Sequence, residues 1–257
     1  MRALRRCVRA AGPAALLLWA AAATACAAKA PKPPKDKYAG MTAAQVHAIA
    51  QRHLDKKSYA RARDTLQKAL GRPDINPELT SAIHLGLADA YFFDGGLLNL
   101  AEALSRYTNF LTFYPNHEKA DYAQYQLGLC YLKQALSPDR DQAQTRKALA
   151  ELMKVESQYP ASRYVAAAGV KAAEARELLA EHEFRIGYFY FKRQAYLGAA
   201  DRFKEVLERF PGYSRRDRIY LFLGQALIEL DRGDEGRLYL EKLRAEFPDS
   251  RLSESAR

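Results

Sequence analysis

Apolar residues recur at helical spacing along most of the chain, and the arrangement itself repeats. Four times an apolar run ends in an aromatic residue followed by proline, at Tyr114-Pro115, Tyr159-Pro160, Phe210-Pro211 and Phe247-Pro248. Twelve residues before each proline stands a small residue, and an apolar–small pair lies further upstream. Small residues let two helices approach closely, and proline cannot continue a helix. The pattern therefore predicts pairs of helices that repeat along the chain.

A weaker unit with the same order of residues precedes these four, from Ile49-Ala50 to Pro73. Helix pairs with a period near 34 residues are typical of tetratricopeptide repeats. A plain helical bundle is the alternative, but a bundle has no reason to repeat these residues at a fixed offset. We expect an all-α superhelix of about five repeats in residues 41–257, with units at about 43–76, 81–117, 121–162, 163–213 and 217–250.

Local features refine this expectation. Thr42 and Gln45 have the spacing of a capping box, which predicts the start of the first helix. Units two and three carry insertions of 3 and 8 residues relative to the others, the second near Asp139-Arg140-Asp141. We expect local ion pairs to order that second insertion. Residues 163–193 are dominated by helix-forming residues, which predicts one long helix opening unit four.

The first 25 residues are of a different kind. Residues 1–9 are basic, residues 10–25 are almost all small or apolar, and Ala23-Thr24-Ala25 precede Cys26. A basic segment, a short apolar core and a small-residue cleavage site are typical of a secretory signal peptide. The apolar stretch has 16 residues, fewer than the roughly 20 that span a bilayer. We therefore predict a signal peptide in residues 1–25.

The position of Cys26 indicates a lipoprotein. Ala-Thr-Ala-Cys resembles the lipobox of bacterial lipoproteins, in which the signal is cut before a cysteine that becomes acylated. We predict lipidation of Cys26; an ordinary signal peptide with an incidental cysteine is the alternative. Ala27 is not the Asp of an inner-membrane retention signal, which leaves outer-membrane sorting open. Residues 26–40 are basic and rich in proline, and predict an extended tether.

Composition and motifs exclude several functional classes. Most of the formal net charge of +10 lies in the first 40 residues, so it does not indicate nucleic-acid binding. We find no phosphate loop, zinc-protease motif or nucleophile elbow in the sequence, and the five histidines lack metal-ligand spacing. Cys130 lies beside a small repeat position, which predicts a buried thiol. We expect no catalysis, no cofactor and no metal.

Several segments carry a resemblance to a known family. They are Asp121-Tyr122, Asp139-Arg140-Asp141, residues 157–164, residues 179–184, Phe189-Tyr190, Tyr196, Arg202 and Phe210-Pro211. Together with the lipobox and the five repeats, they resemble the BamD family, the lipoproteins of the outer-membrane β-barrel assembly machine. The resemblance implies a non-enzymatic scaffold, lipid-anchored at the periplasmic face of the outer membrane. Its implied partners are a POTRA domain of the barrel-inserting protein, at the C-terminal repeats, and unfolded barrel precursors, at the N-terminal repeats.

The resemblance also implies a role for one arginine. In the family, an arginine early in the second helix of unit four contacts the POTRA partner, and Arg202 occupies that position. A solvated charge or a pair with Glu205 is the alternative reading of this residue.

A concave surface is the second candidate site. The first helix of each unit lines this surface, and aromatic residues dominate its outward positions in units two to four, which favours binding of extended, aromatic-rich segments. The candidates are Leu85, Phe92, Tyr122, Tyr125, Leu132, Phe184, Tyr188 and Phe191. The alternative is that the long helix of unit four covers this face.

Two other functional classes remain open. One is another periplasmic repeat lipoprotein, such as a pilotin or an adaptor for a cell-wall enzyme. The other is an enzyme that carries a repeat domain, which the sequence disfavours because the repeats occupy almost all of the mature chain.

Overall fold

A computed structural model describes residues 36–254, and the chain divides into two units at Gly40. Of the first unit, residues 36–40 form a turn in which the Ala39 amide donates to the Asp36 carbonyl over 3.0 Å. From Met41 to Glu254 the described chain consists of eleven α-helices without a strand, which confirms the all-α prediction. The helices are α1 (Ala43–Asp55), α2 (Tyr59–Leu70), α3 (Pro77–Asp94), α4 (Leu97–Phe113), α5 (Ala120–Leu132), α6 (Ala143–Gln158), α7 (Val165–Lys192), α8 (Tyr196–Arg209), α9 (Arg216–Glu229), α10 (Gly233–Glu246) and α11 (Arg251–Glu254).

The helices pack as successive pairs. Each of α1 to α10 contacts the next helix along the chain, and the short connections make neighbours antiparallel. The first helices of successive pairs also touch, α1 with α3, α5 with α7 and α7 with α9. The first helices of units two and three, α3 and α5, are joined by a hydrogen bond that Tyr122 on α5 donates to Asp89 on α3. Five pairs stacked in this way form the superhelix expected of tetratricopeptide repeats.

The aromatic–proline pairs end the second helices as predicted. Helices α4, α6, α8 and α10 each stop one residue before the aromatic residue. That aromatic residue has φ close to −130° and ψ between 54° and 62° in all four units. Proline disfavours the α conformation of the residue before it, which explains the stop. At the other end of the chain, the Gln45 amide donates to Thr42 Oγ1 over 3.2 Å and the Thr42 amide donates to Gln45 Oε1 over 2.9 Å, completing the capping box.

Small residues permit the closest contacts between paired helices. A Cβ placed on Gly236 of α10 would lie 2.6 Å from the Gly224 carbonyl oxygen of α9. A Cβ on Gly128 would lie 2.7 Å from Leu152 of the paired helix α6. The corresponding alanines in the other units are fully buried. Any larger side chain at these positions would push the two helices apart.

The two insertions are accommodated differently. In unit two the extra residues lengthen the helices, since α3 and α4 have 18 and 17 residues and the turn between them is Gly95-Gly96. In unit three they form the loop between α5 and α6. The expected ion pairs are present there, since Asp139 lies 3.7 Å from Arg185 and Asp141 lies 3.9 Å from Arg146, but both pairs are solvent-exposed. The Asp139–Arg140 pair is 4.0 Å long and exposed, so it contributes little. The fully buried Gln142 orders the loop instead, because its Nε2 donates to the Ser137 and Arg140 carbonyls over 2.9 and 3.0 Å.

The long helix of unit four is present. α7 has 28 residues, a length of about 42 Å. Glu181 on α7 ties it to unit five, because it accepts hydrogen bonds from Tyr213 over 2.5 Å and from Arg218 over 3.3 Å. These bonds and the partners Arg185 and Arg218 hold the pKa of the Glu181 carboxyl below its usual value, although burial alone would raise it.

We predict that Gly236→Ala destabilises the protein by about 1–3 kcal/mol, because the new methyl group meets the Gly224 carbonyl. Thermal unfolding followed by circular dichroism measures the change. Gly169→Ala is the matched control, since Gly169 is an exposed position of α7 where a Cβ would have no neighbour within 4 Å. The free energy of unfolding of that control should rise by about 0.5–1 kcal/mol, because alanine has a higher helix propensity than glycine. Equal melting temperatures for the two variants would contradict the close contact.

Candidate functional site

Two adjoining cavities lie along the first helices of units one to three. Their volumes are about 450 Å³ and about 570 Å³. They share four residues, Leu85 and Asp89 on α3 together with Glu118 and Lys119 immediately before α5. The first cavity extends to Tyr122, Arg163 and Tyr164, and the second to His47, Gln51 and Leu54 on α1. We call the two cavities together the N-terminal groove.

Asp89 is the central acidic residue of this groove. Its Oδ1 accepts hydrogen bonds from the hydroxyl of Tyr107 over 2.5 Å and from that of Tyr122 over 2.9 Å. Gln126 Nε2 in turn donates to the Tyr122 oxygen over 2.7 Å. Burial raises the pKa of the Asp89 carboxyl, although the two tyrosine hydrogen bonds and the charge of Lys119 act in the opposite direction. Helices α3, α4 and α5 thus jointly fix one desolvated carboxylate.

The lining of the groove is charged and acidic on balance. Among its lining residues, Glu78, Asp89, Glu118 and Asp121 outnumber the cations Lys119 and Arg163. Asp121 accepts a hydrogen bond from Ser162 over 2.6 Å, which joins the start of α5 to the turn before α7. The groove therefore favours ligands that carry positive charge.

Three of the predicted groove residues lie in the core. Leu85 and Phe92 are 4% exposed and Phe184 is fully buried. For Phe92 and Phe184, which line neither cavity, the prediction of an accessible groove position was therefore wrong. A first helix packs against its own partner and against both neighbouring units, so its apolar positions are mostly used internally. Leu85 still lines both cavities, whereas Phe92 packs on Tyr107 and Phe184 on Phe203.

The other five predicted groove residues are half-buried and lie in different parts of the superhelix. Tyr122 and Tyr125 contact the ring of Tyr164, which immediately precedes α7, at centroid distances of 5.5 and 5.4 Å. The start of the long helix thus partly covers these two rings, as the alternative reading held. Tyr188 and Phe191 instead pack on Phe222 in a cluster of units four and five. Leu132 lies at the end of α5. The eight residues do not form one surface.

Arg202 lies on α8 with 41% of its side chain exposed. Its guanidinium is 3.2 Å from Glu205 and 3.7 Å from Glu183. Arg209, two turns further along the same helix, pairs with the same two carboxylates. The intramolecular pair with Glu205 is therefore present, and the exposed part of Arg202 remains accessible for a further contact.

The remaining candidates carry no chemistry in the described part of the chain. Cys130 is fully buried, and burial raises the pKa of its thiol to about 12, so it is a core residue as predicted. Residues 36–254 hold no group of three or more histidine, cysteine or acidic side chains placed to bind a metal. None of the helices among these residues has the length and apolarity needed to cross a bilayer. Cys26 lies outside the described residues.

Sequence reasoning missed the residues that shape the N-terminal groove, above all Asp89, Lys119 and the covering ring of Tyr164. One signal was available for Asp89. It stands between Ala88 and Ala90 in the apolar part of α3, where an acidic residue requires partners inside the fold.

The paired helices, the small contact residues and the concave groove define a tetratricopeptide-repeat protein. The model of one family, described as YfiO, outer membrane lipoprotein, matches residues 39–223. The chain belongs to this family, which confirms the resemblance seen in the sequence.

Relatives of known name are similar over most of the chain. A protein of Caulobacter vibrioides named outer membrane protein assembly factor BamD is 30% identical over 237 residues, covering 92% of this chain and 76% of the relative. A protein of the same name from Neisseria gonorrhoeae is 25% identical and covers 80% of this chain and 79% of its own.

Solved structures show a more distant similarity. The TPR2AB domain of yeast Sti1 in its pHSP90 complex is 16% identical, with a TM-score of 0.43 and coverage of 81% of this chain and 78% of its own. A double mutant of MamA RS-1 is 20% identical, with a TM-score of 0.38 and coverage of 82% and 99%.

We predict that Asp89→Asn raises the melting temperature at neutral pH. The folded-state pKa of Asp89 lies above its ordinary value of 3.8, so its contribution to stability is fully present below that value and is lost as the pH rises through the raised pKa. The amide keeps an acceptor for the tyrosines and carries no buried charge. The difference in melting temperature between the variant and the wild type should therefore disappear on acidification. Melting curves between pH 7 and pH 4 check this.

Asp64→Asn serves as the control for that comparison, because Asp64 is exposed on α2 and pairs only with Lys68 among the ion pairs of the described residues. The melting temperature of the Asp64→Asn variant should equal that of the wild type at every pH. A neutral-pH destabilisation by Asp89→Asn would contradict the account of the desolvated carboxylate.

Proposed function

We propose that this chain is a non-enzymatic scaffold lipoprotein of the outer-membrane protein assembly machinery. The observation that carries the proposal is the family match over residues 39–223, together with relatives named as assembly factors over most of the chain. The repeats provide surfaces for binding other polypeptides, and the sequence contains no motif for catalysis.

Two separate surfaces support the binding of two different partners. The N-terminal groove is lined by the first helices of three successive repeats, which makes it the proposed site for an extended segment of an unfolded barrel precursor. The surface around Arg202 in unit four is the proposed contact for a POTRA domain of the barrel-inserting protein. Because one site lies in units one to three and the other in unit four, both partners could be held at once.

Copurification is the primary test. Tagged full-length protein, solubilised with its membranes in mild detergent, should bring down the barrel-inserting protein. If no barrel-inserting protein accompanies the wild type, the proposal is wrong, and a pilotin or an adaptor for a cell-wall enzyme becomes the better reading.

The POTRA contact is tested by Arg202→Gln. This change removes the positive charge without placing a third carboxylate beside Glu183 and Glu205. If the arginine pairs with a carboxylate buried at the interface, its removal should weaken docking by roughly 2–5 kcal/mol and leave the thermal melt nearly unchanged. Binding to the purified POTRA region measures the loss.

Arg209→Gln is the matched control for that experiment, because Arg209 is 50% exposed and pairs with the same two glutamates. It should dock normally. Equal losses for the two variants would assign the effect to the local charge cluster and remove Arg202 as a specific contact.

Anchoring is tested at Cys26. Lipidation of this residue would hold the chain at the membrane, since acyl chains contribute roughly 0.8 kcal/mol per buried methylene. Cys26→Ser should therefore leave the protein in the periplasmic fraction or as an uncleaved precursor. Membrane fractionation and intact-mass measurement distinguish these forms. An unacylated wild type that still fractionates with the outer membrane would contradict the lipid anchor.

A further inference from the structure

We propose that the N-terminal groove selects extended polypeptide segments that carry a lysine or arginine, and that Asp89 is the residue that binds this cation. The inference deepens the proposed function and rests on it, because it specifies which feature of a precursor the groove recognises.

Asp89 is held in place through its Oδ1 atom. Both tyrosine hydroxyls that hold Asp89 donate to Oδ1. Among residues 36–254 no donor to Oδ2 is found, and the residue lines both cavities. Asp89 is thus fixed by α4 and α5 through one oxygen, which leaves the second oxygen for a ligand.

Among the described residues, Asp89 has no cationic side chain in direct contact. No ion pair within 4.0 Å involves Asp89 in the described part of the chain, although Arg63, Arg106 and Lys154 all pair with other carboxylates. Lys119 lowers the pKa of Asp89 by its charge but makes no direct contact with it. A desolvated carboxylate with no partner cation gains more from an incoming ammonium or guanidinium group than an exposed one does.

Apolar and aromatic side chains lie beside Asp89 in the first cavity. Leu85 and the rings of Tyr122 and Tyr164 line the same cavity. Such walls can receive the aliphatic stem of lysine or arginine while the charged end reaches a carboxylate. The net acidity of the lining residues draws the same kind of segment towards the groove. Acidic segments would meet repulsion at the same place.

Paired peptides test the inference. The mature, lipidated protein in detergent micelles is titrated into three fluorescent peptides that share one extended, aromatic-rich sequence and differ at one central position, which is lysine, norleucine or glutamate. Fluorescence anisotropy gives the three affinities. We expect the lysine peptide to bind roughly tenfold more tightly than the norleucine peptide, and the glutamate peptide to bind most weakly.

Two variants identify the residue responsible. Asp89→Asn should remove the preference for lysine and leave the affinity for norleucine unchanged. Asp64→Asn removes the same charge from α2, outside the groove, and should keep the full preference. The wild-type comparison of the three peptides stands by itself if Asp89→Asn folds poorly.

The outcomes separate the two proposals. If lysine and norleucine peptides bind the wild type equally, the inference is wrong while precursor binding stands. If Asp89→Asn folds and keeps the lysine preference, the preference comes from general electrostatics and the inference is also wrong. If none of the peptides binds, precursor binding by the groove is wrong and the inference falls with it.

Discussion

The whole superhelix depends on the close contact between small residues of paired helices. In unit five the backbones of α9 and α10 approach so closely that Gly224 and Gly236 each leave no room for a methyl group. In the other units, buried alanines and Gly128 or Gly187 make the equivalent contact. Large apolar side chains pack both within a pair, as Phe92 does on Tyr107, and between pairs, as Phe184 does on Phe222. The first helices of successive pairs lie side by side, and the N-terminal groove runs along them in units one to three.

The N-terminal groove adds a polar element to this apolar framework. Asp89 is held by Tyr107 of its own repeat and by Tyr122 of the next, so the carboxylate is positioned only after two repeats have stacked. Burial of such a charge opposes folding, as the raised pKa of Asp89 indicates. A residue that lowers stability while facing a cavity is typical of a functional position.

The repeats could be predicted from the sequence because their features depend on local rules. Proline and the aromatic residue before it end the second helices, and Thr42 and Gln45 cap the helix α1. Small residues mark the positions where paired helices make contact. The sequence could not assign the concave surface, because each first helix packs against its own partner and against neighbouring units, so the helical period alone does not show which apolar positions remain accessible. The burial of Phe92, Phe184 and Tyr122 depends on contacts with residues distant in sequence, namely Tyr107, Phe203 and Tyr164. Nor could the sequence show that the buried Gln142 donates two hydrogen bonds that order the unit-three loop.

The central claim is that unfolded barrel precursors lie in the N-terminal groove. Site-specific photocrosslinking in living cells tests it most directly, with the photoreactive amino acid placed at Lys119, which is exposed at the groove, or at Asp64, which lines neither cavity. The account predicts crosslinks to newly made barrel precursors from position 119 and none above background from position 64. Crosslinks of equal yield from both positions, or from position 64 alone, would contradict it.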